Sequence, residues 1–487
     1  MAFDITDPAH DALALAKLVK ERKVQPIELV DAAIKAIEQA DPTLNAVNTP
    51  MFEIARARAS RVDLQAPFAG VPYLLKDIRA SYKGVPTSEG CRALAGLPRG
   101  YDSEIVTRHK RAGLICIGKT NTPEFGLTAT TEPHAFGPTR NPWAPDRTSG
   151  GSSGGAAAAV SARVVPIAHA SDGGGSIRIP AACCGVFGLK PTRGRNPLGP
   201  DAGDVMSGLV AEHAVTVSVR DSAALLDATA GADVGDPYWA PPLQGRFLDA
   251  LDTPLGKLRV AFSTASPAGG AVHSDCARAV EAAAGILERL GHRVEPASPE
   301  WDDRAFRKAF TTVWFSSLAA TLARLAQGLG REVTDSDVEP VTLEFGRRGA
   351  VLTGAEYVAA IETMQQLGRI VGAFHERYDA WLTPVLAEPP PPLGHLHPPP
   401  GREDFRLFSR RVREWVPFTQ IANATGQPAA SVPIHWTPEG LPVGVQIMAA
   451  MGREATLLQL AAQMERACPW KDRLPAAHAG SDASSPS

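Results

Sequence analysis

Apolar residues recur at three- to four-residue spacing over 26–39, where Ile27, Val30, Ile34 and Ile37 share one helical face and Pro26 suits the first turn. A shorter helix is predicted over 10–22. Residues 103–112 form another, stopped by Gly113, and the apolar run LICIG after it has the length of a buried strand. The alternation returns further on. LRVAF predicts a strand, DCARAVEAAAGILERLG an amphipathic helix ending at Gly291, and HRVEP a second strand. This β-α-β rhythm predicts an α/β fold, a sheet with helices on both faces.

Three stretches break the rhythm. Phe306, Phe310 and Trp314 repeat every four residues, with Phe315 adjacent, which makes an aromatic stripe on a predicted helix over 301–330. The stripe suits either core packing or one wall of a pocket. EPPPPLGHLHPPP, residues 388–400, excludes helix and central strand. It reads as an ordered loop across a site or as a surface connection. Its His395 and His397 lack the companions a metal site needs. From about 478 the chain is rich in Ala, Ser and Gly, and disorder is expected there.

Composition narrows the class. The 487 residues accommodate several average domains or one large α/β domain, and 44% hydrophobic with 21% charged residues describes an ordinary globular chain. A formal net charge of −3 argues against a dedicated nucleic-acid surface. No long charge-free apolar run suggests a membrane span, and MAFDITDPAH lacks the features of a secretory leader, so a cytoplasmic protein is expected. Cys91, Cys116, Cys183, Cys184, Cys276 and Cys468 show no zinc spacing and read as free, buried thiols.

Candidate chemistry concentrates in three segments. Lys76 ends the apolar run of FAGVPYLLKD, Ser152 lies in TSGGSSGGAAAAV, and Ser176, 24 residues later, follows Gly173, Gly174 and Gly175 in SDGGGSIRIP. A lysine accepts a proton only when neutral, and an exposed one, with pKa of about 10.4, is almost never neutral at pH 7. Burial lowers that value, and Val71, Leu74 and Leu75 are consistent with burial. Asp77 opposes the neutral form unless its side chain leaves the strand on the opposite face. The triple glycine lets backbone N–H groups crowd around Ser176, as an oxyanion hole requires. A phosphate loop is the competing reading, but the order G-x-x-x-x-G-K-[ST] is missing. Arg178 reads as a structural partner of a carboxylate.

Together the segments resemble the amidase signature family. The likeness is dense over 66–195, including GKTNTPE and TRNPW, thins over about 225–410, and returns at VPFTQIANATGQPAASVPI and GLPVGVQI. The resemblance implies a large mixed, mostly parallel central sheet covered by helices on both faces. It implies an amide-bond hydrolase without metal or cofactor, in which Ser176 is the nucleophile, Ser152 bridges from a cis Gly151–Ser152 peptide, and Lys76 is the base of a Ser–cisSer–Lys triad. The oxyanion donors are then the amides of Gly173, Gly174, Gly175 and Ser176. Gly151, Ser171, Asp172 and Arg178 support the loops, although in some members the arginine at the position of Arg178 contacts an acidic substrate group, and Gly173 replaces a larger residue of many members. Residues 1–62 are expected as a helical segment, 63–477 as the catalytic domain, with a variable pocket region over about 300–410, and 478–487 as a disordered tail. Thr128, Trp314 and Phe315 are candidate pocket residues. The expected partner is a small-molecule amide, with a homodimer as an option and no nucleic acid or membrane. Uncharged aliphatic-oligomer or aryl amides are the expected substrates, because no basic cluster accompanies the aromatic stripe in the sequence. Carbamates and aryl acylamides are alternatives. A further one is the amidase subunit of a glutamine-dependent tRNA amidotransferase, although NPLGPDAG stands where that subunit carries an Arg-Tyr-Gly run.

Overall fold

A computed structural model describes residues 3–242, 244–397 and 404–480. Among them thirteen strands follow the chain. They are β1 (Val47–Pro50), β2 (Pro72–Lys76), β3 (Ile115–Thr120), β4 (Arg140–Asn141), β5 (Ala144–Thr148), β6 (Ile167–Asp172) and β7 (Phe187–Lys190), then β8 (Ala211–Thr216), β9 (Arg259–Phe262), β10 (Arg293–Pro296), β11 (Ala380–Pro384), β12 (Ala429–Trp436) and β13 (Pro442–Ala449). Eleven form one sheet in the order β1-β3-β2-β6-β8-β7-β12-β13-β11-β9-β10, and β4 pairs with β5 apart from it.

The sheet is mixed, but it is not mostly parallel: six of its ten neighbouring pairs run antiparallel. Connection length explains the difference. β2 and β3, and β9 and β10, are joined through helices Glu104–Arg111 and Ser274–Arg289, and both pairs are parallel. In the middle, β7 reaches β8 through a helix-free loop and β12 turns back into β13. Strands joined without a crossover pair antiparallel.

The first helices are Ala12–Lys20 and Pro26–Leu44. Glu28 accepts from the Gln25 N–H at 2.8 Å and steadies the second helix at its start. That helix runs a turn beyond the predicted end and stops where Asp41 takes up the N–H groups of Ala46 and Val47. Residues 1–62 also supply β1, an edge strand, and their Leu15, Leu29, Val30 and Leu44 pack into the same core as Leu74, Ile115 and Ala168 of the sheet. Helices Gly154–Ser161 and Arg178–Cys184 are buried throughout, which explains the Ala-rich composition of both. Cys468 is half-buried, and the other five cysteines are buried and free. Of the expected disordered tail, 481–487 lie outside the described residues; Ala479 is buried, its N–H donating to Ala162 O at 3.0 Å. No described helix is long and apolar enough to cross a membrane.

Candidate functional site

β2 and β6 are parallel neighbours, so their carboxyl ends, carrying Lys76 and Asp172, open at the same sheet edge. Ligands in open α/β sheets favour such edges. Lys76 has no solvent exposure, and its Nζ donates to Ser152 Oγ at 2.8 Å, Ser171 Oγ at 3.1 Å and Ser171 O at 3.4 Å. Burial pushes its pKa down to about 7, against the pull of the Glu212 and Asp172 charges. Asp77 leaves the chain on the other side. Its carboxylate pairs with Lys119 at 2.8 Å and accepts from Asn48 at 2.8 Å and from the Ser88 hydroxyl. The adjacent acid is thereby neutralised by another lysine, and Lys76 keeps its depressed value.

The Gly151–Ser152 peptide is cis. Thr122 of GKTNTPE donates to Ser152 O at 2.9 Å, and Thr131 donates to Gly150 O at 2.9 Å, so two threonines clamp this loop. Ser153 N–H donates to Ser176 O at 3.2 Å and ties the loop to the second serine. Ser152 and Ser176 line one cavity.

The glycine loop is wound around Asp172. Its carboxylate accepts from Gly175 N–H at 2.7 Å, Ile177 N–H at 3.1 Å, Asn423 Nδ2 at 2.8 Å, and Arg178 Nε and Nη2 at 2.9 Å each. Burial alone would raise this carboxyl, but the Arg178 charge and these bonds more than offset it and hold it below the usual carboxylate range. Of the four amides expected to serve an oxyanion, that of Gly175 is therefore committed to Asp172. No described residue accepts from those of Gly173, Gly174 or Ser176. Gly175 sits at φ +131, and a side chain there would meet Thr419 Oγ1 at 2.3 Å, so the turn requires glycine. Gly173 is under no such demand: a Cβ would meet Val210 at 3.3 Å and Trp314 at 3.7 Å, and the space points toward the pocket.

Arg178 is fully buried and spends every N–H on the protein. Besides Asp172 it donates to Thr419 O at 2.8 Å, Gln446 Oε1 at 2.6 Å and Asn423 Oδ1 at 2.7 Å. Nothing remains for a substrate carboxylate. Thr419, Asn423 and Gln446 were not singled out in the sequence, although they sit in VPFTQIANATGQ and GLPVGVQI.

Ser176 lies where two cavities meet. One, about 450 Å³, is bordered by Ser152, Ser171, Gly173, Ile78 and Leu318. The other, about 310 Å³, is bordered by Thr128, Gly174, Phe306, Phe310, Phe315 and Phe408. Trp314 lines both. All three residues of the aromatic stripe on helix Asp303–Leu329 border the smaller cavity: Phe306 is buried, while Phe310 and Trp314 are half-buried and stack at 5.4 Å. Thr128, Trp314 and Phe315, predicted as pocket residues, come together here. The proline-rich segment is described as far as His397. It pairs with β5 through Arg147 and Pro392, and His397 Nε2 meets Thr130 Oγ1 at 3.0 Å. Helix Phe405–Trp415, which follows it, lines the smaller cavity through Phe408 and Val412. Among the described residues no group of three or more His, Cys, Asp or Glu could hold a metal ion.

Comparison with known proteins identifies the family of the chain. The model of the family described as Amidase matches residues 28–458. A 6-aminohexanoate-cyclic-dimer hydrolase of Paenarthrobacter ureafaciens is 39% identical, the match covering 96% of each chain. One from Pseudomonas sp. strain NK87 is 40% identical over the same shares. Among solved structures, 6-aminohexanoate cyclic dimer hydrolase complexed with substrate superposes with a TM-score of 0.92 at 39% identity, covering 97% of this chain and 99% of that one. A bacterial aryl acylamidase of the amidase signature enzymes gives 0.86 at 28% identity, covering 94% and 96%. The chain belongs to the amidase family and is a hydrolase of carbon–nitrogen bonds other than peptide bonds.

Proposed function

We propose that the protein hydrolyses amides through an acyl-enzyme on Ser176, with Ser152 relaying protons to and from Lys76. Neutral Lys76 accepts the Ser152 hydroxyl proton while Ser152 takes that of Ser176. Ser176 Oγ then attacks the carbonyl carbon, and the amides of Gly173, Gly174 and Ser176 donate to the oxygen that gains charge. Collapse breaks the C–N bond, and the departing amine takes its proton back along the same relay. Water, deprotonated by the same groups, releases the acid. The observation that carries this reading is the buried Lys76, 2.8 Å from Ser152 Oγ, with both serines on one cavity.

The aromatic lining of the smaller lobe supports an uncharged aliphatic or aryl limb at that side of the scissile bond. The similarity to cyclic-dimer hydrolases and, at lower identity, to an aryl acylamidase supports the same range. Labelling with a fluorophosphonate tests the nucleophile. The label is expected on Ser176 and absent in Ser176→Ala, whose kcat falls at least ~10³-fold with the fold intact by circular dichroism. Near-native turnover by that variant would remove the assignment.

A further inference from the structure

The larger lobe carries charges that the chemistry at Ser176 does not use. Arg79, Glu89, Arg99 and Arg324 line it beside Ser152 and Ser176, three cations and one anion. Charges drawn into a cleft are usually paired, because a lone charge out of water is costly. Here no hydrogen bond or ion pair ties the guanidinium of Arg79 or Arg99 to a described residue, and Arg99 Nε is buried without an acceptor. Arg324 reaches only Thr321 Oγ1, at 3.1 Å, on its own helix. Burial raises the Glu89 carboxyl, and the fields of Arg79 and Arg99 pull it back, so the three groups sense one another without closing a pair.

The backbone beneath these groups is specialised. Arg79 (φ 57), Glu89 (φ 53), Phe125 (φ 50) and Met206 (φ 53) all line this lobe and account for half of the eight described non-glycine residues with positive φ. Left-handed backbone at such residues persists only where its surroundings enforce it, and it gathers at ligand sites. At Glu89 the enforcement is visible. Its N–H donates to Asp77 O at 3.0 Å, and its carbonyl accepts from Phe125 N–H at 2.7 Å. The charged wall is thus fastened to the residue that follows Lys76. The rest of the lobe is largely apolar, with Leu94, Leu127, Val210 and Leu318. Arg307, paired with Asp303, and Lys308 lie within the aromatic stripe in sequence and border the smaller lobe; the fold brings Arg79 and Arg99 to the larger lobe from a distant segment.

We propose that Arg79 and Arg99 form an anion subsite which holds a carboxylate at the far end of the substrate limb in the larger lobe. The favoured substrates are then amides of carboxylate-ended aliphatic chains, with the uncharged limb in the aromatic lobe. This rests on the reading of Ser176 as nucleophile. Guanidinium groups match a carboxylate with parallel charge-assisted hydrogen bonds, and these two have none to give up first. Arg324 adds to the positive field, while Glu89 opposes an anion and limits the affinity.

Two substrate pairs test it. Adipic acid mono-4-nitroanilide and N-hexanoyl-6-aminohexanoate carry the carboxylate on the acyl and the amine side. Hexanoic acid 4-nitroanilide and N-hexylhexanamide are their neutral counterparts. In at least one pair kcat/KM is expected to favour the charged member by ~10-fold or more. The double variant R79Q/R99Q is expected to bring that ratio close to one, chiefly through KM, and E89Q to increase it. R99K, which keeps the charge and the bulk, covers the case in which the double variant does not fold; it should lower the ratio partly. Preference for the neutral members in wild type, or a ratio that survives in R79Q/R99Q or is unmoved in R99K, overturns the subsite. If Ser176→Ala still cleaves the neutral pair members, the underlying nucleophile assignment falls, and the subsite falls with it.

Discussion

In the proposed mechanism Lys76 is useful only while it is kept from its ordinary charge. With a pKa near 7 it is cationic and inert as a base below that pH, and neutral above it. Activity is therefore expected to rise with pH through about 7 and level off, and Lys76→Ala should lose most of the rate together with that limb. A variant that retains the limb would place the base elsewhere. Stability should respond in the same sense, over a higher pH window. The unfolded chain holds the lysine proton up to about pH 10.4, whereas the folded chain releases it from about 7. Folding of the wild type is thus penalised increasingly as pH falls from 10.4 to 7, by up to about 1.4 kcal/mol per unit, and no further below. Lys76→Met should gain stability over wild type across that window, measured by urea unfolding at pH 7 and 9.5, with the larger gain at 7. The apolar run before Lys76 made its burial legible in the sequence. The neutralisation of Asp77 by Lys119 was not, because Asp77 follows β2 while Lys119 lies on β3, and only their pairing in space joins them.

At the scale of elements, the Asp172–Arg178 pair fastens four pieces of chain. The end of β6, the start of helix Arg178–Cys184, helix Gln420–Thr425 and β13 all meet at these two side chains. Removing one member of a buried pair leaves its partner charged and unsolvated, at a cost of about 3–5 kcal/mol. Arg178→Met should show a loss of that size in denaturant unfolding, and its residual activity should be low on neutral and acidic amides alike. A selective loss on acidic substrates with unchanged stability would instead make Arg178 a substrate contact. The sequence left Arg178 open between these readings, since its acceptors Thr419, Asn423 and Gln446 come from segments far along the chain. The same separation explains the sheet. The helix-linked strands of 258–296 were legible as a local rhythm, while the antiparallel centre depends on which distant strands become neighbours.

For the whole molecule, the decisive arrangement is the proposed nucleophile Ser176 at the junction of two lobes, both lined by Trp314. A buried aromatic side chain contributes about 1.5–3 kcal/mol, so Trp314→Ala should cost ~10–100-fold in kcat/KM for an aryl amide and much less for acetamide. Equal loss on both, with a lowered melting temperature, would reduce Trp314 to core packing. The spacing of Phe306, Phe310 and Trp314 announced the helix, but that all three would border a cavity was set by what packs opposite. A site built of two rooms also bears on events after the bond is cut. In the proposed mechanism, once the amine half departs, the ester on Ser176 stands beside a vacated chamber shaped for a chain of that kind. Water arriving there completes hydrolysis, and a fitting amine competes with it. Supplied hexylamine should therefore be incorporated into new amide, detectable by mass, well ahead of methylamine at equal free-base concentration, and the protein would run as a transacylase whenever its leaving group is returned to it.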